Sequence, residues 1–489
     1  MQQIKKFRIG NDAVKLTASK IITLLISLVS NMLLSRFRTL TEYGTYSQLL
    51  MAINIACALL MLGLPNSINY FIAKAGTEED RSRFLSVYYT LSTILSFIIG
   101  LVLVLSIPLL EKFFSNDLIR NFWYFLAFYP WTRVIMSGVE NLLIAFHKTS
   151  TLIIYRILNS ILLLGIILIV QWIKGNFYLY MILYLSCEII FTVWVYVIVR
   201  RNGSKVGFNL DKKLIKSILI FSVPIGFASM MGTISIELDK LVITSFFSTE
   251  KLAIYSNASK ELPVTIIASS LTAVLMPQIV KLMNENKKDE AVKLWNSAVA
   301  IAFAIISLIA AGCFVFAPEV ITILYSSKYL PGVSVFRIYC LVLLLRCTYF
   351  GIMLNATGNT KFILYSSIGS LVINLILNFV CFYIFEFTGP AIATFISILI
   401  MNLYQLIYTC KKLGIRFSKI FPWKNCAISL AVNIALGITA YLIKSIITQM
   451  TKVNSVVAAA CLGIVWAAVF AIIMRKQIKK QWGFLNKER

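Results

Sequence analysis

Residues 151–173 read TLIIYRILNSILLLGIILIVQWI, a mostly apolar run that contains a single arginine. A helix of this length crosses a hydrocarbon core of about 30 Å, because each residue adds about 1.5 Å. Comparable runs recur along the whole chain, at 13–35, 43–64, 85–110, 121–146, 176–199, 218–246, 252–280, 295–316, 333–358, 362–385, 388–410, 426–447 and 453–474. The pattern predicts an all-α polytopic membrane protein with about 14 transmembrane helices.

The composition excludes an ordinary soluble protein. The 489 residues are 59% hydrophobic and only 13% charged, and the mean hydropathy is +0.84. The 46 Lys and Arg against 20 Asp and Glu give a formal net charge of +26. A nucleic-acid-binding protein would carry such cations on a polar surface, which this chain lacks. We therefore expect the lipid bilayer as a partner and no nucleic acid.

The distribution of the cations predicts the orientation in the membrane. Between the predicted spans, 29 Lys and Arg fall in the segments on one side and eight in the segments on the other. Segments rich in Lys and Arg stay in the cytoplasm. Because the number of predicted spans is even, both termini are expected in the cytoplasm.

The sequence contains no motif for catalysis. His147 is its one histidine, the nine cysteines form no CxxC pair, and there is no P-loop, GxGxxG or HExxH motif. The connections on the outer side are too short to form a catalytic domain. These features predict a transporter without a resident cofactor rather than an enzyme such as a membrane-embedded glycan polymerase.

Three pairs of short segments indicate an internal repeat at offsets of 209 to 212 residues. They are Tyr46-Ser47 and Tyr255-Ser256, Leu64-Pro65-Asn66 and Met276-Pro277-Gln278, and AFHKT at 145–149 and ATGNT at 356–360. The repeat predicts an N-terminal six-helix lobe at 1–205, a C-terminal six-helix lobe at 206–411, and two additional helices with a basic cytoplasmic tail at 412–489. Because six is even, the lobes share one orientation, as in carriers that work by alternating access.

Short motifs along the chain resemble those of a known family. They are LSR at 34–36, EYGTY at 42–46, GLPN at 63–66, FSVP at 221–224, Asp239-Lys240, AIYS at 253–256, NATG at 355–358 and TGPAIA at 388–393. Their order over essentially the whole chain resembles that of the Wzx-type polysaccharide flippases. These belong, with the MATE antiporters and the lipid II flippase, to the multidrug/oligosaccharidyl-lipid/polysaccharide exporter superfamily.

The resemblance implies two six-helix lobes around a central cavity and a substrate of oligosaccharide linked to undecaprenyl pyrophosphate. It implies transfer of that substrate from the inner to the outer leaflet of a bacterial cytoplasmic membrane, for surface polysaccharides such as O-antigen or capsule, with the polysaccharide polymerase machinery as a further partner. A lipid II flippase-like protein and a MATE-like cation-coupled antiporter are the alternatives. A MATE-like protein should carry an acid deep in its first span, where this chain has Lys20 and no acid after Asp12.

Charged residues inside the predicted spans indicate a hydrated path, because an ionised group at the bilayer centre costs about 2.5–3.5 kcal/mol. Arginine and lysine suit a pyrophosphate cargo, since they donate charge-assisted hydrogen bonds to it. The candidate substrate-path cations are Lys20, Arg133, Arg156, Lys260 and Arg346. The candidates for carrying a coupling H⁺ or Na⁺ are Glu188, Asp239 and Glu261, and the hinge candidates are Pro224 and Pro263.

The spacing of polar residues supports such a path, because residues three, four or seven apart share one face of a helix. The predicted stripes are Arg133, Ser137, Glu140 and Asn141; Arg156, Asn159 and Ser160; and Ser229, Gly232, Thr233, Glu237 and Lys240. The alternative is structural pairing of Arg133 with Glu140 and of Glu237 with Lys240. Near the span ends, Lys15, Arg337 and Lys444 are expected to extend to the interface. Most of the 22 Tyr and 33 Phe are expected at lipid-facing or interfacial positions.

Overall fold

The computed structural model describes residues 2–61, 63–202, 206–450 and 453–487, so the predicted lobe boundary at residue 205 lies outside the described residues. These residues form α-helices and short 3₁₀ segments and no strand. The first helices are α1 (Gln2–Phe37), α2 (Leu40–Leu60), α3 (Ser67–Lys74), α4 (Glu78–Leu105), α5 (Ile107–Phe114), α6 (Trp123–Ser137), α7 (Val139–Ala145), α8 (Thr149–Trp172), α9 (Phe177–Asn202) and α10 (Lys212–Phe246).

The remaining helices begin at residue 249. They are α11 (Thr249–Ala258), α12 (Ile266–Asn284), α13 (Lys288–Val315), α14 (Ala317–Leu324), α15 (Val333–Leu345), α16 (Ile352–Ala356), α17 (Thr360–Phe385), α18 (Gly389–Leu413), α19 (Phe417–Ile420), α20 (Trp423–Met450) and α21 (Ser455–Lys487). The 3₁₀ segments are Leu64–Asn66, Asp117–Phe122, Pro263–Thr265, Ser327–Gly332 and Glu386–Thr388.

Among the described residues, 12 helical stretches are long and apolar enough to cross a membrane. One of them, Lys361–Leu413, contains the two successive helices α17 and α18. The predicted span at 121–146 is divided at Gly138 into α6 and α7, which are individually too short to be counted. Every predicted span is thus mostly helix in the structure, with further interruptions inside 252–280 and 333–358, and the expected all-α polytopic membrane fold is confirmed.

The chain divides into two compact units, Met1–Ala253 and Ile254–Arg489. The division falls inside α11, so α10 packs with the first unit although the sequence assigns it to the second lobe. The lobe prediction counts spans, whereas the units follow packing, and the lobe boundaries stay a prediction.

The order of elements repeats along the chain. In the first unit, α4 is followed by α5, the 3₁₀ segment Asp117–Phe122, α6, α7 and α8. In the second unit, α13 is followed in the same order by α14, the 3₁₀ segment Ser327–Gly332, α15, α16 and α17, each beginning about 210 residues later. A proline in the first turn starts both α5 and α14, because it cannot continue the preceding helix. The repeat inferred from the sequence is thus present in the structure.

The stretch that contains α2 in the first copy of the repeat, and α11 and α12 in the second, departs from this pattern. In the first unit, α2 runs unbroken from Leu40 to Leu60 after a capping box between Thr39 and Glu42. Its counterpart in the repeat is interrupted after α11, and the chain resumes helix only at Pro263. The interruption lies within the stretch Thr249–Asn284, which is otherwise long and apolar enough to span a membrane.

A close backbone approach fixes the end of α2 against α10. Gly63 adopts a left-handed conformation with φ of 71°, and a Cβ placed on it would lie 2.5 Å from the backbone nitrogen of Gly226. Pro224, two residues before Gly226, lies inside α10, which continues through it as helix. Only glycine at residue 63 can adopt the positive φ and also leave room for the backbone of Gly226.

Buried polar contacts join α20 and α21 to α13 and α14 in the second unit. Asn433 donates from Nδ2 to Ser307 Oγ at 3.1 Å, and Trp466 donates from Nε1 to Asn433 Oδ1 at 3.1 Å. Lys444 forms an ion pair with Glu319 at 2.5 Å, and both side chains are largely buried. The expectation that Lys444 extends to the interface is therefore wrong, because an acid on α14 binds its ammonium group.

Candidate functional site: a polar cavity in the first unit

A cavity of about 820 Å³ lies inside the first unit, with walls from α1, α2, α6, α8, α9 and α10. Its polar and charged lining residues are Ser27, Ser30, Asn31, Tyr46, Asn54, Asn66, Tyr129, Arg133, Ser137, Asn159, Ser160, Tyr180, Tyr184, Glu188, Ser229, Thr233 and Glu237. Each of the three polar stripes contributes at least two residues to this lining. Part of each predicted stripe therefore lies at one cavity, and the prediction that the stripes face a hydrated path stays a prediction.

Arg133 brings a cationic side chain into the cavity from α6. Its side chain is exposed and makes no ion pair or hydrogen bond with any residue that the structure describes. The alternative of a structural pair between Arg133 and Glu140 does not occur, because Glu140 lies beyond the break at Gly138 and binds Arg156 of α8 instead. Arg133 is therefore available to bind an anion.

Glu237 also lines the cavity, but its charge is compensated. Lys240 donates to Glu237 Oε2 at 2.9 Å, and Asn54 of α2 donates from Nδ2 to Glu237 Oε1 at 3.1 Å. The structural pairing of Glu237 with Lys240, which was the alternative to a role in the path, is therefore present. This pair contributes no net charge to the cavity wall.

Glu188 is the other carboxylate of the lining, and it lies deep in the wall with an exposed fraction of 6%. Within the described residues it forms no ion pair. Its one side-chain hydrogen bond comes from Asn159 Nδ2 at 3.5 Å, the upper limit for such a bond. The guanidinium of Arg133 and the carboxylate of Glu188 thus both belong to the cavity lining, and they form no ion pair with each other.

Four tyrosines form an aromatic part of the lining that the sequence reasoning missed. They are Tyr46, Tyr129, Tyr180 and Tyr184. The hydroxyls of Tyr129 and Tyr184 lie 3.1 Å apart, and the rings of Tyr46 and Tyr184 meet edge to face. The sequence spacing could have predicted this lining. Tyr129 lies four residues before Arg133 and Tyr184 four residues before Glu188, so each tyrosine shares a helix face with a charged candidate.

The remaining candidates of the first unit lie outside the lining. Lys20 is exposed on α1, seven residues before the lining residue Ser27 and on the same helix face. Arg156 lies one turn before Asn159 on α8, paired with Glu140. Asp239 is buried in α10, with an exposed fraction of 3%.

The candidates of the second unit gather at helix breaks. Lys260 and Glu261 lie in the non-helical segment before Pro263, and Arg346 ends α15. The Nε of Arg346 lies 2.8 Å from Glu261 Oε1, so these two candidates bind each other. Pro263 therefore begins helix after a break, whereas Pro224 lies within a continuous helix.

A metal site is not formed by the described residues. They contain no group of three His, Cys, Asp or Glu side chains that could hold a metal ion. Anion binding by Arg133 and hydrogen bonding by the surrounding Ser, Asn and Tyr side chains are the interactions that this cavity can offer.

Solved structures with the same fold are membrane transporters. The lipid II flippase MurJ in an inward closed conformation matches with a TM-score of 0.71 at 16% identity, covering 95% of this chain and 100% of that chain. An inward-facing MATE family multidrug resistance transporter of the MOP superfamily matches with a TM-score of 0.65 at 17% identity, covering 82% of this chain and 98% of that chain. At these identities the matches show the fold alone.

Sequence comparisons connect the chain to polysaccharide biosynthesis. The probable low-salt glycan biosynthesis flippase Agl15 of Haloferax volcanii is 21% identical over 338 residues, 68% of this chain and 70% of Agl15. The capsular polysaccharide biosynthesis protein CapF of Staphylococcus aureus is 28% identical over 102 residues, which cover 21% of this chain and only 26% of CapF. Residues 9–283, more than half of the chain, match the family model described as polysaccharide biosynthesis protein. The chain belongs to the polysaccharide biosynthesis protein family.

Proposed function

We propose that the protein is a flippase that moves oligosaccharide repeat units linked to undecaprenyl pyrophosphate from the cytoplasmic to the outer leaflet by alternating access. The observation that carries this proposal is the unpaired guanidinium of Arg133 in a polar cavity of about 820 Å³. The family and the name of the relative Agl15 support it.

The chemistry of Arg133 suits the pyrophosphate of such a cargo. A guanidinium presents planar paired donors that match phosphate oxygens. Charge-assisted hydrogen bonds of this kind compensate for the water that the headgroup loses on entering the cavity. The compensated pair of Glu237 and Lys240 on α10 does not oppose an anion.

The tyrosines suit the sugars. Aromatic faces pack against the apolar side of a sugar ring, while hydroxyl and amide groups satisfy its hydroxyls. Tyr129 precedes Arg133 by one helical turn, so a sugar next to the pyrophosphate would meet Tyr129 and its neighbour Tyr184. In this proposal the polyprenyl tail stays in the lipid while the headgroup occupies the polar cavity.

The other candidate residues belong to the proposed path at different stages. With the N-terminus in the cytoplasm, Lys20 on α1 and Arg156 on α8 lie on the cytoplasmic side of the lining and would attract the headgroup. Lys260 and Arg346 would contribute in the second unit after the pair between Arg346 and Glu261 opens. The bacterial cytoplasmic membrane is the proposed location, with the polymerase machinery as the receiver of the product.

Reconstitution into liposomes tests the proposal. We expect the protein to make an undecaprenyl-pyrophosphate oligosaccharide, loaded in one leaflet, accessible to a glycosidase added on the other side. Liposomes with the Arg133→Ala variant are the matched control, and lipid II and a cationic dye in parallel reactions represent the two alternative cargoes. Movement of the dye alone, or no protein-dependent movement of any lipid-linked saccharide, would overturn the proposal.

A further inference from the structure

Glu188 is the one charged residue of the cavity lining whose role the proposed function leaves open. Arg133 binds the headgroup, and Glu237 is compensated by Lys240. Glu188 instead lies in the same wall as Arg133 with an exposed fraction of 6% and a single long hydrogen bond from Asn159. A carboxylate in this position repels a phosphate bound to Arg133.

The titratable groups around Glu188 come from three neighbouring helices and from its own. Arg133 and Tyr129 face it from α6, Tyr155 faces it from α8, Tyr46 faces it from α2, and Tyr184 and Cys187 belong to α9. Of these groups only Arg133 carries a charge near neutral pH. The charge state of Glu188 is therefore governed by its burial and by whether the charge of Arg133 is free or used by a ligand.

The cavity changes its net charge with the proton on Glu188. With the carboxylate ionised, Arg133 and Glu188 cancel, and the cavity is neutral. With the carboxylate protonated, Arg133 is uncompensated, and the cavity carries one positive charge. A buried carboxylate beside a bound anion loses the stabilisation that a free guanidinium gives it, so the anion favours the protonated form.

We propose that Glu188 takes up a proton when an anionic headgroup binds Arg133, so that headgroup binding and proton binding strengthen each other. This inference rests on the proposed function, because it assigns the proton site that belongs to the Arg133 anion site. By linkage the effect is reciprocal: a proton on Glu188 raises the affinity for the anion by the same factor as the anion raises the affinity for the proton. Release of the headgroup then releases the proton.

The surroundings favour a proton over a metal cation at Glu188. A sodium ion needs several oxygen ligands, and Asn159 presents its Nδ2 donor to the carboxylate. A neutral carboxyl group, in contrast, needs no further ligand and is less costly to bury.

Calorimetry on the purified full-length protein tests the linkage. The probe is UDP-N-acetylglucosamine, a soluble pyrophosphate diester whose phosphates do not titrate between about pH 5 and pH 8. Binding heats in buffers of different ionisation enthalpy give the protons taken up per probe bound. We expect uptake by the wild type and at least about tenfold tighter binding at the lower pH, because the like charge is removed.

The variants separate the linkage from the anion site. Glu188→Gln should bind the probe tightly at both pH values without proton uptake, whereas Glu188→Asp should keep the uptake. The control is Glu386→Gln, which removes an exposed carboxylate outside the cavity and should match the wild type. Unchanged proton uptake in Glu188→Gln, or binding that follows Na⁺ instead of pH, would overturn the inference. Loss of binding in Glu188→Gln would also contradict it. Linked binding without lipid transport would leave the inference standing and refute the proposed function.

Discussion

The guanidinium of Arg346 is bound by Glu261 at 2.8 Å in the second unit. Arg133, which lies about 210 residues earlier at the corresponding place in the repeat, lines a cavity and forms no ion pair with any described residue. The same residue type at related places in the repeat is therefore neutralised in the second unit and free of an ion pair in the first. We therefore expect replacement of Arg133 to affect cargo binding and replacement of Arg346 to affect stability.

Replacing Arg133 is expected to weaken binding of the cargo. A hydrogen bond to a charged group contributes about 1.5–3 kcal/mol, so Arg133→Ala should weaken headgroup binding by roughly 10- to 100-fold. Arg133→Lys should restore part of it, because lysine keeps the charge and loses the paired donors. Transport in proteoliposomes and calorimetric binding measure both effects.

The control for Arg133 is Arg120→Ala. Arg120 is an exposed cation outside the cavity, paired with Glu111 at 2.8 Å, and exposed pairs of this kind contribute little. Transport by Arg120→Ala should equal that of the wild type. Equal transport by Arg133→Ala and the wild type, with equal amounts of protein in the membrane, would assign Arg133 to structure.

The pair of Glu261 and Arg346 is expected to couple energetically. Either Glu261→Gln or Arg346→Gln leaves the other member of the pair uncompensated, whereas the double variant removes both charges of the pair. The double variant should therefore lose less thermal stability than the two single variants together. Tryptophan fluorescence during heating of the detergent-solubilised protein measures all four members of the cycle, and strict additivity would show that the pair is not formed.

Gly63 is expected to tolerate no side chain. An alanine Cβ there would lie 2.5 Å from Gly226 N and would require a positive φ of 71°. Strain of this kind costs about 1–3 kcal/mol. Gly63→Ala should lower the melting temperature, while Gly76→Ala, where a Cβ has nothing within 4 Å, should leave it unchanged. Similar melting temperatures for both variants would contradict the close packing of α10.

The buried pair of Lys444 and Glu319 is expected to hold α20 against α14. Ser455 also donates to Glu319 Oε1, at 2.6 Å. Removing one member of a buried pair costs about 3–5 kcal/mol because the other charge stays buried. Lys444→Ala should therefore be much less stable than Lys476→Ala, an exposed lysine of α21, in thermal unfolding. Lys444→Met combined with Glu319→Leu should recover most of the loss, and failure to do so would show that the charges themselves are required.

The cap of α10 gives a prediction about pH. A backbone hydrogen bond from Leu214, with the ion pair to Arg83, holds the pKa of Asp211 below its usual range. Because folding lowers this pKa, the ionised carboxylate stabilises the cap above the unfolded pKa, and the stabilisation is lost as the pH falls through the folded pKa. Hydrogen exchange of residues 206–216, corrected for intrinsic rates, should be slow and constant from about pH 5 to pH 8 and accelerate in stronger acid. Asp211→Asn should remove the acid-dependent step, and its persistence would assign the step to another group.

Much of the fold follows from hydrophobic patterning. The run at 151–173 corresponds to α8, and the cavity-facing stripes follow from residues three and four apart on α6, α8 and α10. These features are local, because helical periodicity alone places Asn159 and Ser160 on one face. The repeat was visible for the same reason, since its motifs occupy fixed positions along the chain.

The partners of the charges could not be predicted in the same way. Glu140 binds Arg156 rather than Arg133 because the helix breaks at Gly138, and Lys444 meets Glu319 from 125 residues earlier. Such pairs depend on which helices pack together, and the sequence of one helix does not specify its neighbour. The tyrosine lining was missed because a buried cavity wall and a lipid-facing surface use the same aromatic residues.

The interruption between α11 and Pro263 has a consequence for exchanging the two copies of the repeat. In the first unit α2 continues to Leu60 and the interruption comes only before Leu64, so the two copies are interrupted at different places, and, within the described residues, a charged pair lies at the break in the second unit alone. Exchanging residues 40–74 for 249–284 would transplant a break without Arg346 to bind its acid. We therefore expect the chain with this exchange to fold less stably than the wild type, although the order of helices is the same in both copies.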